Sequence, residues 1–324
     1  MKPAEWLYSD GSVALDSTKV GDSAPAAENP DDRIHLKSPD GGVIAQAALW
    51  WRDTPFYEGR RIGCIGGFVA NDEESARQLL VGAVSRLREA GCHIAVGPMN
   101  GNTWRRHRFV IESSGRGCFL LEPRNSPEHP GWWERAGFSV LSRYSSSVIP
   151  LDGGGVISPA VRSRLVRSGV IVRKLVSSRY EDELRSIFVV SLKSFANNFL
   201  YMPLAEDEFI AAYQKVRDHV DSDFVRIAER DGVPCGFVFG VPDLEAAARG
   251  EKPAIIVKTL AVDPESRCAG LGSLLVDELH RIGREKGHTE AIHALQHESN
   301  TSLKITGRHQ GVVIRRYALF FRRL

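Results

Sequence analysis

The sequence predicts an α+β protein with a mixed sheet, arranged as two similar halves in tandem. Short β-prone apolar segments alternate with amphipathic helical segments throughout the chain. The two halves, residues 34–150 and 170–324, share the order strand, strand, helix, strand, short helix, strand. Each short helix ends at a glycine, and the strand that follows carries an Arg-Tyr pair, Arg143-Tyr144 or Arg316-Tyr317. This repetition predicts an internal duplication.

The first half contains one long helical pattern between strand patterns. Within residues 73–90, apolar residues recur at helical spacing and Gly91 follows as a C-cap. The apolar run VIAQAALWW from Val43 predicts the first strand, and RRIGCIGGFVA predicts the second. After the helix we expect strands at HIAV and CFLLE, a loop at GPMNGNTW, a short helix at PEHPGWWERAG and a final strand at FSVLSRYSSSVI.

The second half follows a stretch, residues 151–169, that we expect to be a linker because three consecutive glycines stabilise neither helix nor strand. A strand at 170–176, helices at 180–198 and 206–219 and three strands come next. Residues 271–286 carry an apolar stripe of helical spacing that ends before Gly287. A strand AIHAL, a short helix from about Asn300 and a strand VVIRRYALFF complete the pattern.

Composition excludes several classes of protein. The 324 residues, 43% of them hydrophobic, carry a formal net charge of +2, so no global field favours nucleic acid or an anionic membrane. The apolar runs are too short for a membrane span, and the N-terminus lacks the apolar region of a secretory signal, so we expect a cytoplasmic location. Five scattered cysteines without a C-x-x-C pair predict reduced thiols and no zinc site. Residues 1–33, with seven acids against three bases, predict a loosely ordered arm.

The segment that carries chemistry is DPESRCAGLGS, between a predicted strand ending at Val262 and a predicted helix beginning near Leu271. It contains R-x-x-G-x-G, formed by Arg267, Gly270 and Gly272. Glycines let successive backbone N–H groups approach a ligand, and the helix N-terminus behind them carries a partial positive charge, so the segment predicts a phosphate or pyrophosphate site. Neither the P-loop pattern G-x-x-x-x-G-K-[ST] nor the dinucleotide pattern G-x-G-x-x-G is present here.

In this strand, loop and helix the sequence resembles the GCN5-related N-acetyltransferase (GNAT) superfamily, over roughly residues 170–324. The resemblance implies an acetyl-CoA N-acyltransferase fold in which acetyl-CoA is the cosubstrate and no metal takes part. The residues that it assigns to cofactor binding are the strand residues Leu260, Ala261 and Val262, the loop residues Arg267, Cys268, Ala269, Gly270, Leu271, Gly272 and Ser273, and Asn300 at the start of the next helix.

The sequence departs from the family pattern at the general acid. Many members carry a tyrosine about seven residues after that asparagine, and here the position is Gly307. Tyr317 in the final strand is the candidate catalytic residue in its place. A core tyrosine anchored by its hydroxyl is the alternative interpretation of Tyr317.

The first half is expected to be a degenerate copy. Its corresponding turn, VANDEESARQLL, has no glycine and places Asp72, Glu73 and Glu74 where phosphates would lie, and acids there repel an anion. Its GPMNGNTW and FLLEP segments resemble those of tandem GNAT proteins, in which the first copy would complete the acceptor cleft. FANNFLYM, residues 195–202, lies in the region that shapes acceptor pockets in the family, or forms a packing cluster at a helix end.

Three further features are weaker signals. His293 and His297 lie on one face of a predicted strand, which does not indicate a metal pair. Cys268 lies in the phosphate loop, where the position requires a backbone N–H rather than a nucleophile. The last 21 residues hold six bases and no acid, which fits a solvated edge, the cosubstrate's phosphates or RNA.

The sequence therefore predicts an N-acetyltransferase that passes an acetyl group from acetyl-CoA directly to a small-molecule or peptide amine, with no membrane partner and no nucleic acid. One alternative is a non-catalytic module that retains the cofactor loop and binds acyl-CoA or a partner protein, which Gly307 favours. The other is an RNA-associated protein, which the net charge disfavours.

Overall fold

The computed structural model describes residues 29–324. All but the last five residues of the predicted arm 1–33 lie outside that range, and the first strand already begins at Asp32. The elements of the first half are β1 (Asp32–Lys37), β2 (Val43–Trp50), β3 (Phe56–Tyr57), β4 (Arg60–Arg61), β5 (Gly63–Ala70), α1 (Glu73–Glu89), β6 (Ile94–Gly97), β7 (Phe109–Ser113), α2 (His129–Arg135) and β8 (Ser139–Pro150).

The second half repeats this order with additional helices. Its elements are α3 (Pro159–Arg167), β9 (Val170–Lys174), α4 (Tyr180–Phe195), α5 (Glu206–Gln214), β10 (Val225–Arg230), β11 (Val233–Pro242), α6 (Leu244–Ala248), β12 (Ala254–Val262), α7 (Leu271–Glu285), β13 (Glu290–His297), α8 (Ser302–Arg308) and β14 (Val312–Arg323).

One mixed sheet runs through both halves, in the order β1-β2-β5-β6-β14-β8-β13-β12-β11-β10-β9. The pairs β5/β6 and β12/β13 are parallel, and the other neighbours in this order are antiparallel. The predicted α+β class with a mixed sheet is confirmed. At the centre, β14 of the second half pairs with β6 of the first, and β8 of the first pairs with β13 of the second. The two halves therefore exchange their last strands.

Helices cover both faces of the second half of the sheet. On one face, α7 and α3 pack over β10 to β12 through Leu165, Leu271 and Leu275. On the other face, α4 and α5 pack through Phe188 and Phe209. The stripe predicted for residues 271–286 is the buried face of α7, because its leucines point into the sheet.

Three predicted elements differ from the structure. The linker 151–169 contains α3, which begins with Ser158 as N-cap and Pro159 in the first turn, a combination that starts helices. The segment CFLLE is not a strand. Phe119 and Leu120 instead pack against the sheet of the second half, and the Leu120 N–H donates to Asp243 Oδ1 at 3.0 Å. The charged strand β1 was missed because its apolar residues, Ile34 and Leu36, are few.

Candidate active site

A cleft opens in the sheet where two parallel strands separate. Strands β12 and β13 pair only from Ala254 to Val257. Lys258 is a bulge, since Phe239 of β11 pairs with Thr259 while the next residue, Gly240, pairs with Val257. Beyond the bulge β12 and β13 are no longer paired, and a cavity of about 980 Å³ occupies the space between them and the first half of the chain.

The three predicted strand residues have different surroundings. Leu260 lines the cleft, whereas Ala261 is buried under α4. The N–H of Val262 donates to Ser194 Oγ at 3.2 Å, and the N–H of Asp263 donates to the carbonyl of Cys235 on β11. Because ladder hydrogen bonds alternate, the N–H of Leu260 points away from β11, toward the open side of β12.

The loop after β12 leads directly into α7. Gly270 has φ +93°, a left-handed conformation that an L side chain rarely adopts, and a Cβ there would lie 2.6 Å from Val161 Cγ1. No side chain caps α7, and its first turn contains no acidic residue. The N–H groups of Gly272 and Ser273 therefore form an N-terminus at which an anion can bind.

Three arginines surround this N-terminus. Arg267, in the loop, is exposed and has φ +53°. The Arg164 Nη2 donates to the carbonyl of Ala269 at 2.6 Å, and Arg308 Nη1 donates to Ser273 Oγ at 3.2 Å. Sequence patterns did not indicate Arg164 as a site residue, because it lies in the predicted linker. The positive charge reinforces the partial charge of the helix terminus.

Most of the other basic residues of the C-terminal segment have partners. Arg315 pairs with buried Glu122, Arg316 with Glu112 and Arg323 with Glu58, while Arg322 donates to the carbonyl of Ala136. The expected solvated basic edge is therefore largely a set of ion pairs to the first half. These pairings also reduce the charge available to a polyanion such as RNA.

The other predicted cofactor residues lie close to the same loop and cleft. Cys268 is buried, and its Sγ donates to the carbonyl of Ser266 at 3.3 Å. Asn300 lines the cleft, and its Oδ1 accepts the N–H of Ser302 at 2.9 Å, which forms an Asx turn just before α8. A Cβ at Gly307 would meet nothing within 4 Å.

Tyr317 lies in the centre of the sheet and has no exposed surface. Its hydroxyl donates to Glu122 Oε1 at 2.5 Å and lies 3.0 Å from Ser146 Oγ. Burial and the Glu122 carboxylate raise the pKa of Tyr317. This placement favours the alternative interpretation, a core tyrosine anchored by its hydroxyl.

The two segments that the sequence analysis associated with an acceptor cleft meet in the structure. Trp104 of GPMNGNTW lies within about 6 Å of the rings of Phe195 and Tyr201, with centroid distances of 6.4 and 6.0 Å. Its Nε1 donates to the carbonyl of Met202 at 2.7 Å. The first half and FANNFLYM therefore form adjoining walls of the cleft.

Several polar side chains face this part of the cleft. His107 Nδ1 lies 2.9 Å from the carbonyl of Arg105, so Nδ1 carries the proton and Nε2 is an acceptor. Burial, with the neighbouring Arg108, holds the pKa of His107 well below its usual value. The Tyr201 hydroxyl and His297 Nε2 are buried without a hydrogen-bond partner among residues 29–324. Sequence patterns gave no signal for His107 or Arg108.

His293 and His297 have different surroundings, although both line the cleft. His293 Nε2 lies 3.0 Å from His280 Nε2, and its Nδ1 lies 2.8 Å from Thr306 Oγ1. His297 Nδ1 accepts the N–H of Ser299 at 3.1 Å, so Nε2 carries the proton of the neutral ring. Within the described part of the chain, no group of three or more His, Cys, Asp or Glu is placed to hold a metal ion.

The first half has the same strand arrangement, but its opening is filled. Strands β5 and β6 pair only at Gly63 and Cys64. Beyond them, the Met99 N–H donates to the carbonyl of Ile65 at 2.8 Å, and Asn100 Oδ1 accepts the N–H of Gly67 at 3.0 Å. The N-terminus of α1 is capped by its own Asp72. Backbone groups of the kind that β12 and α7 leave open are therefore occupied here.

The splayed parallel strands, the glycine loop and the uncapped helix are features of an acyltransferase fold. Residues 187–304 match the model of the acetyltransferase (GNAT) family. The resemblance seen in the sequence is confirmed for this segment: the second half contains a domain that matches the GNAT family. No helix among the residues that the structure describes has the length and apolarity to cross a membrane.

Two known proteins are similar to this chain in sequence, and a solved structure is similar in fold. Protein YghO of Escherichia coli is 24% identical over 58% of this chain and 49% of its own. The bacterial ceramide synthase of Caulobacter vibrioides is 25% identical over 59% of this chain and 50% of its own. The chain thus matches about half the length of these relatives. A tandem GNAT protein from the clavulanic acid biosynthesis pathway shares the fold, with a TM-score of 0.51, 13% identity, and coverage of 91% of this chain and 84% of that one.

Proposed function

We propose that this protein transfers an acyl group from an acyl-CoA to an amine, with acetyl-CoA as the donor that the sequence predicts. The observation that supports the proposal most directly is the opening of β12 from β13 next to the uncapped N-terminus of α7. A pyrophosphate would bind the N–H groups of Gly272 and Ser273, with Arg267 and Arg308 beside it. The thioester arm would run along Leu260 into the cleft.

The acceptor would enter from the side of α4, α5 and the first half. An alkyl ammonium has a pKa near ~10.4 and must lose a proton before it can attack. We propose His107 Nε2 as the acceptor of that proton, directly or through water. The amine nitrogen would then bond to the thioester carbon, and the carbon–sulfur bond would break.

The departing thiolate requires a proton, and the cleft offers two donors. Burial raises the pKa of Tyr201, so its hydroxyl stays protonated at neutral pH. Burial lowers the pKa of His297, whose neutral ring carries its proton on Nε2. Tyr201 would supply the proton that Gly307 cannot, and the His297 Nε2–H would donate a hydrogen bond to the departing sulfur. Tyr317 lies behind this wall, in contact with Glu122.

The size of the cleft favours a second candidate donor, a long-chain acyl-CoA. A cavity of about 980 Å³ lies at the upper end of the range for small-molecule sites and exceeds the needs of an acetyl group. Aromatic residues of α4, α5 and their connection line it, including Phe195, Phe209 and Tyr213. One relative is named bacterial ceramide synthase, and a ceramide is an N-acylated long-chain amine. Acyl-CoA chemistry also agrees with the predicted cytoplasmic location.

The first experiment is a calorimetric titration with acetyl-, octanoyl- and palmitoyl-CoA. Wild type should bind at micromolar concentration, and Gly270→Glu should lose binding because it adds a carboxylate and a clash at the loop. Gly287→Glu is the matched control, since Gly287 has φ +86° and open space around it at the far end of α7. The preferred chain length distinguishes the two donors.

Release of free CoA with a panel of amines then tests transfer. Tight binding without release with any amine would favour the non-catalytic module. No binding of any thioester by wild type would contradict the proposed function.

A further inference from the structure

Arg108 occupies an unusual position in the cleft wall. It ends the turn that carries Trp104 and His107, and its backbone has φ +71°, a conformation that costs energy for any residue with a side chain. Its Nη1 donates to the carbonyl of Leu295 at 3.1 Å, and its guanidinium lies 4.2 Å from the ring centroid of Tyr144. Leu295 also has a left-handed backbone, with φ +58°. Both residues joined by this hydrogen bond therefore have a left-handed backbone.

Among residues 29–324, the guanidinium of Arg108 has no anionic partner. No carboxylate of residues 29–324 lies within ion-pair distance of Arg108, and one carbonyl accepts only one of its five N–H groups. Nearby arginines behave differently: Arg315 pairs with Glu122 at 2.8 Å, and Arg116 pairs with Glu290 at 2.7 Å. Arg108 is half-buried, and a charge withdrawn from water without a counter-ion is unfavourable, so buried arginines are normally paired.

The electrostatics of Arg108 and Arg315 show the same contrast. Burial lowers the pKa of Arg108, and no carboxylate opposes this effect. Burial acts in the same direction on Arg315, but Glu122 outweighs it and the pKa of Arg315 is raised. Arg108 therefore has the surroundings of a binding residue whose anion is supplied by a ligand.

The ligand that supplies the anion is not the pyrophosphate of the cosubstrate. Gly270, Arg267 and Arg308 gather at the N-terminus of α7, and α7 packs on one face of the sheet. Trp104, four residues before Arg108, packs with α4 and α5 on the other face. The first half of the chain provides Arg108, on the wall that adjoins FANNFLYM.

We propose that Arg108 binds an anionic group, a carboxylate or a phosphate, carried by the acceptor amine. The inference rests on the proposed function, since it assigns a feature to the acceptor of that reaction. A planar guanidinium can hold either anion with two parallel hydrogen bonds. Because His107 precedes Arg108, the same turn would bind the anion and receive the proton from the amine.

The test uses product-like amides that differ only in charge. One pair is N-octanoylglycine and its neutral analogue N-octanoylglycinamide. The other is N-octanoylphosphoethanolamine and neutral N-octanoylethanolamine. Titration calorimetry of each with wild type should show at least ten-fold tighter binding of the anionic member of one pair. The pair that shows the preference identifies the anion.

Three variants test the role of Arg108. Arg108→Gln can still donate to Leu295 and should bind both members of the pair equally, at the affinity of the neutral one. Arg108→Lys keeps the positive charge but lacks the paired N–H groups of a guanidinium, so it should retain part of the preference for the anionic amide. Arg88→Gln, on the exposed surface of α1, should behave as wild type. Thermal unfolding of each variant confirms that it is folded.

Equal affinity of wild type for charged and neutral members, or binding of none of the four amides, would overturn the proposal. A preference that survives in Arg108→Gln would overturn it as well. These titrations contain no CoA, so they are read separately from the thioester titrations. If wild type binds thioesters but shows no anion preference, only the proposed role of Arg108 is contradicted. If it shows an anion preference but binds no thioester, the proposed acyl transfer is contradicted.

Discussion

The indole Nε1 of Trp104 donates to the main-chain oxygen of Met202 at 2.7 Å, across a separation of 98 residues. This bond joins the turn of the first half to the segment between α4 and α5. The ring of Trp104 also packs edge-on against Phe209, with 6.1 Å between the centroids. The side of the cleft that we propose for the acceptor is therefore built by contact between the two halves.

Two substitutions of Trp104 should weaken this contact to different degrees. Trp104→Phe keeps an aromatic ring and loses one hydrogen bond, so we expect a loss of about 1 kcal/mol in the free energy of unfolding. Trp104→Ala also removes the ring contacts and should cost about 3 kcal/mol. Urea unfolding measures both. Trp132→Phe, outside the cleft, is the control, and equal effects of the two phenylalanine variants would contradict a special role for Trp104.

Gly270→Ala should lose acyl-CoA affinity by more than ten-fold. The left-handed φ of +93° and the approach of Val161 oppose any side chain at this position. Gly287→Ala meets the same conformational cost, with φ +86°, but no neighbour within 4 Å. We expect Gly287→Ala to lose about 1 kcal/mol of stability and to keep full affinity. Calorimetric titration separates the two, and normal binding by Gly270→Ala would exclude the loop as the cofactor site.

One acyl-CoA should bind per chain. In the first half, Asn100 Oδ1 already occupies the N–H of Gly67, and Asp72 caps α1. Asp72→Ala should cost about 1 kcal/mol of stability, as loss of an N-cap does, without creating a second site. The stoichiometry of a calorimetric titration checks this directly. A value near two would show that the first half is not a degenerate copy.

Tyr317→Phe should destabilise the protein while leaving the rate of transfer intact. The hydroxyl donates to buried Glu122, which would lose one donor, and we expect a cost of about 1 to 2 kcal/mol. Thermal unfolding and a CoA-release assay give the two readouts. A folded variant with a rate reduced more than 100-fold would instead restore Tyr317 as the general acid.

The stability of the protein should fall between pH 7 and pH 5. Burial holds the pKa of both His280 and His293 well below 6.5, and their Nε2 atoms lie 3.0 Å apart. The unfolded state then binds protons that the folded state does not. Each histidine should therefore remove about 2 kcal/mol from the free energy of unfolding at pH 5, the loss beginning near pH 6.5.

Urea unfolding at the two pH values measures this loss. The double variant His280→Gln, His293→Gln should show a smaller pH dependence. His35→Gln, at an exposed position, should leave it unchanged. An undiminished pH dependence in the double variant would assign the loss to other groups.

The sequence predicted the parts of the site that are local in the chain. The conformation of the turn from Asp263 to Ser273 depends on its own glycines. The apolar stripe of α7 follows from the helical spacing of its residues. The acceptor wall could not be predicted in this way. Arg108 meets Leu295 across 187 residues, and Tyr317 meets Glu122 across 195. Such pairs follow from strand order, which local patterns do not specify.

The exchange of β8 and β14 has a consequence for how the chain folds as it is synthesised. Strand β14 ends at Arg323, one residue before the end of this sequence, and lies between β6 and β8 in the middle of the sheet. Until it is made, β6 and β8 each lack a neighbour on one edge, and unpaired edges are sites of aggregation. The first half therefore cannot complete its sheet until β14 has been synthesised. Removal of β14 would leave a gap at the centre of the sheet rather than a frayed edge.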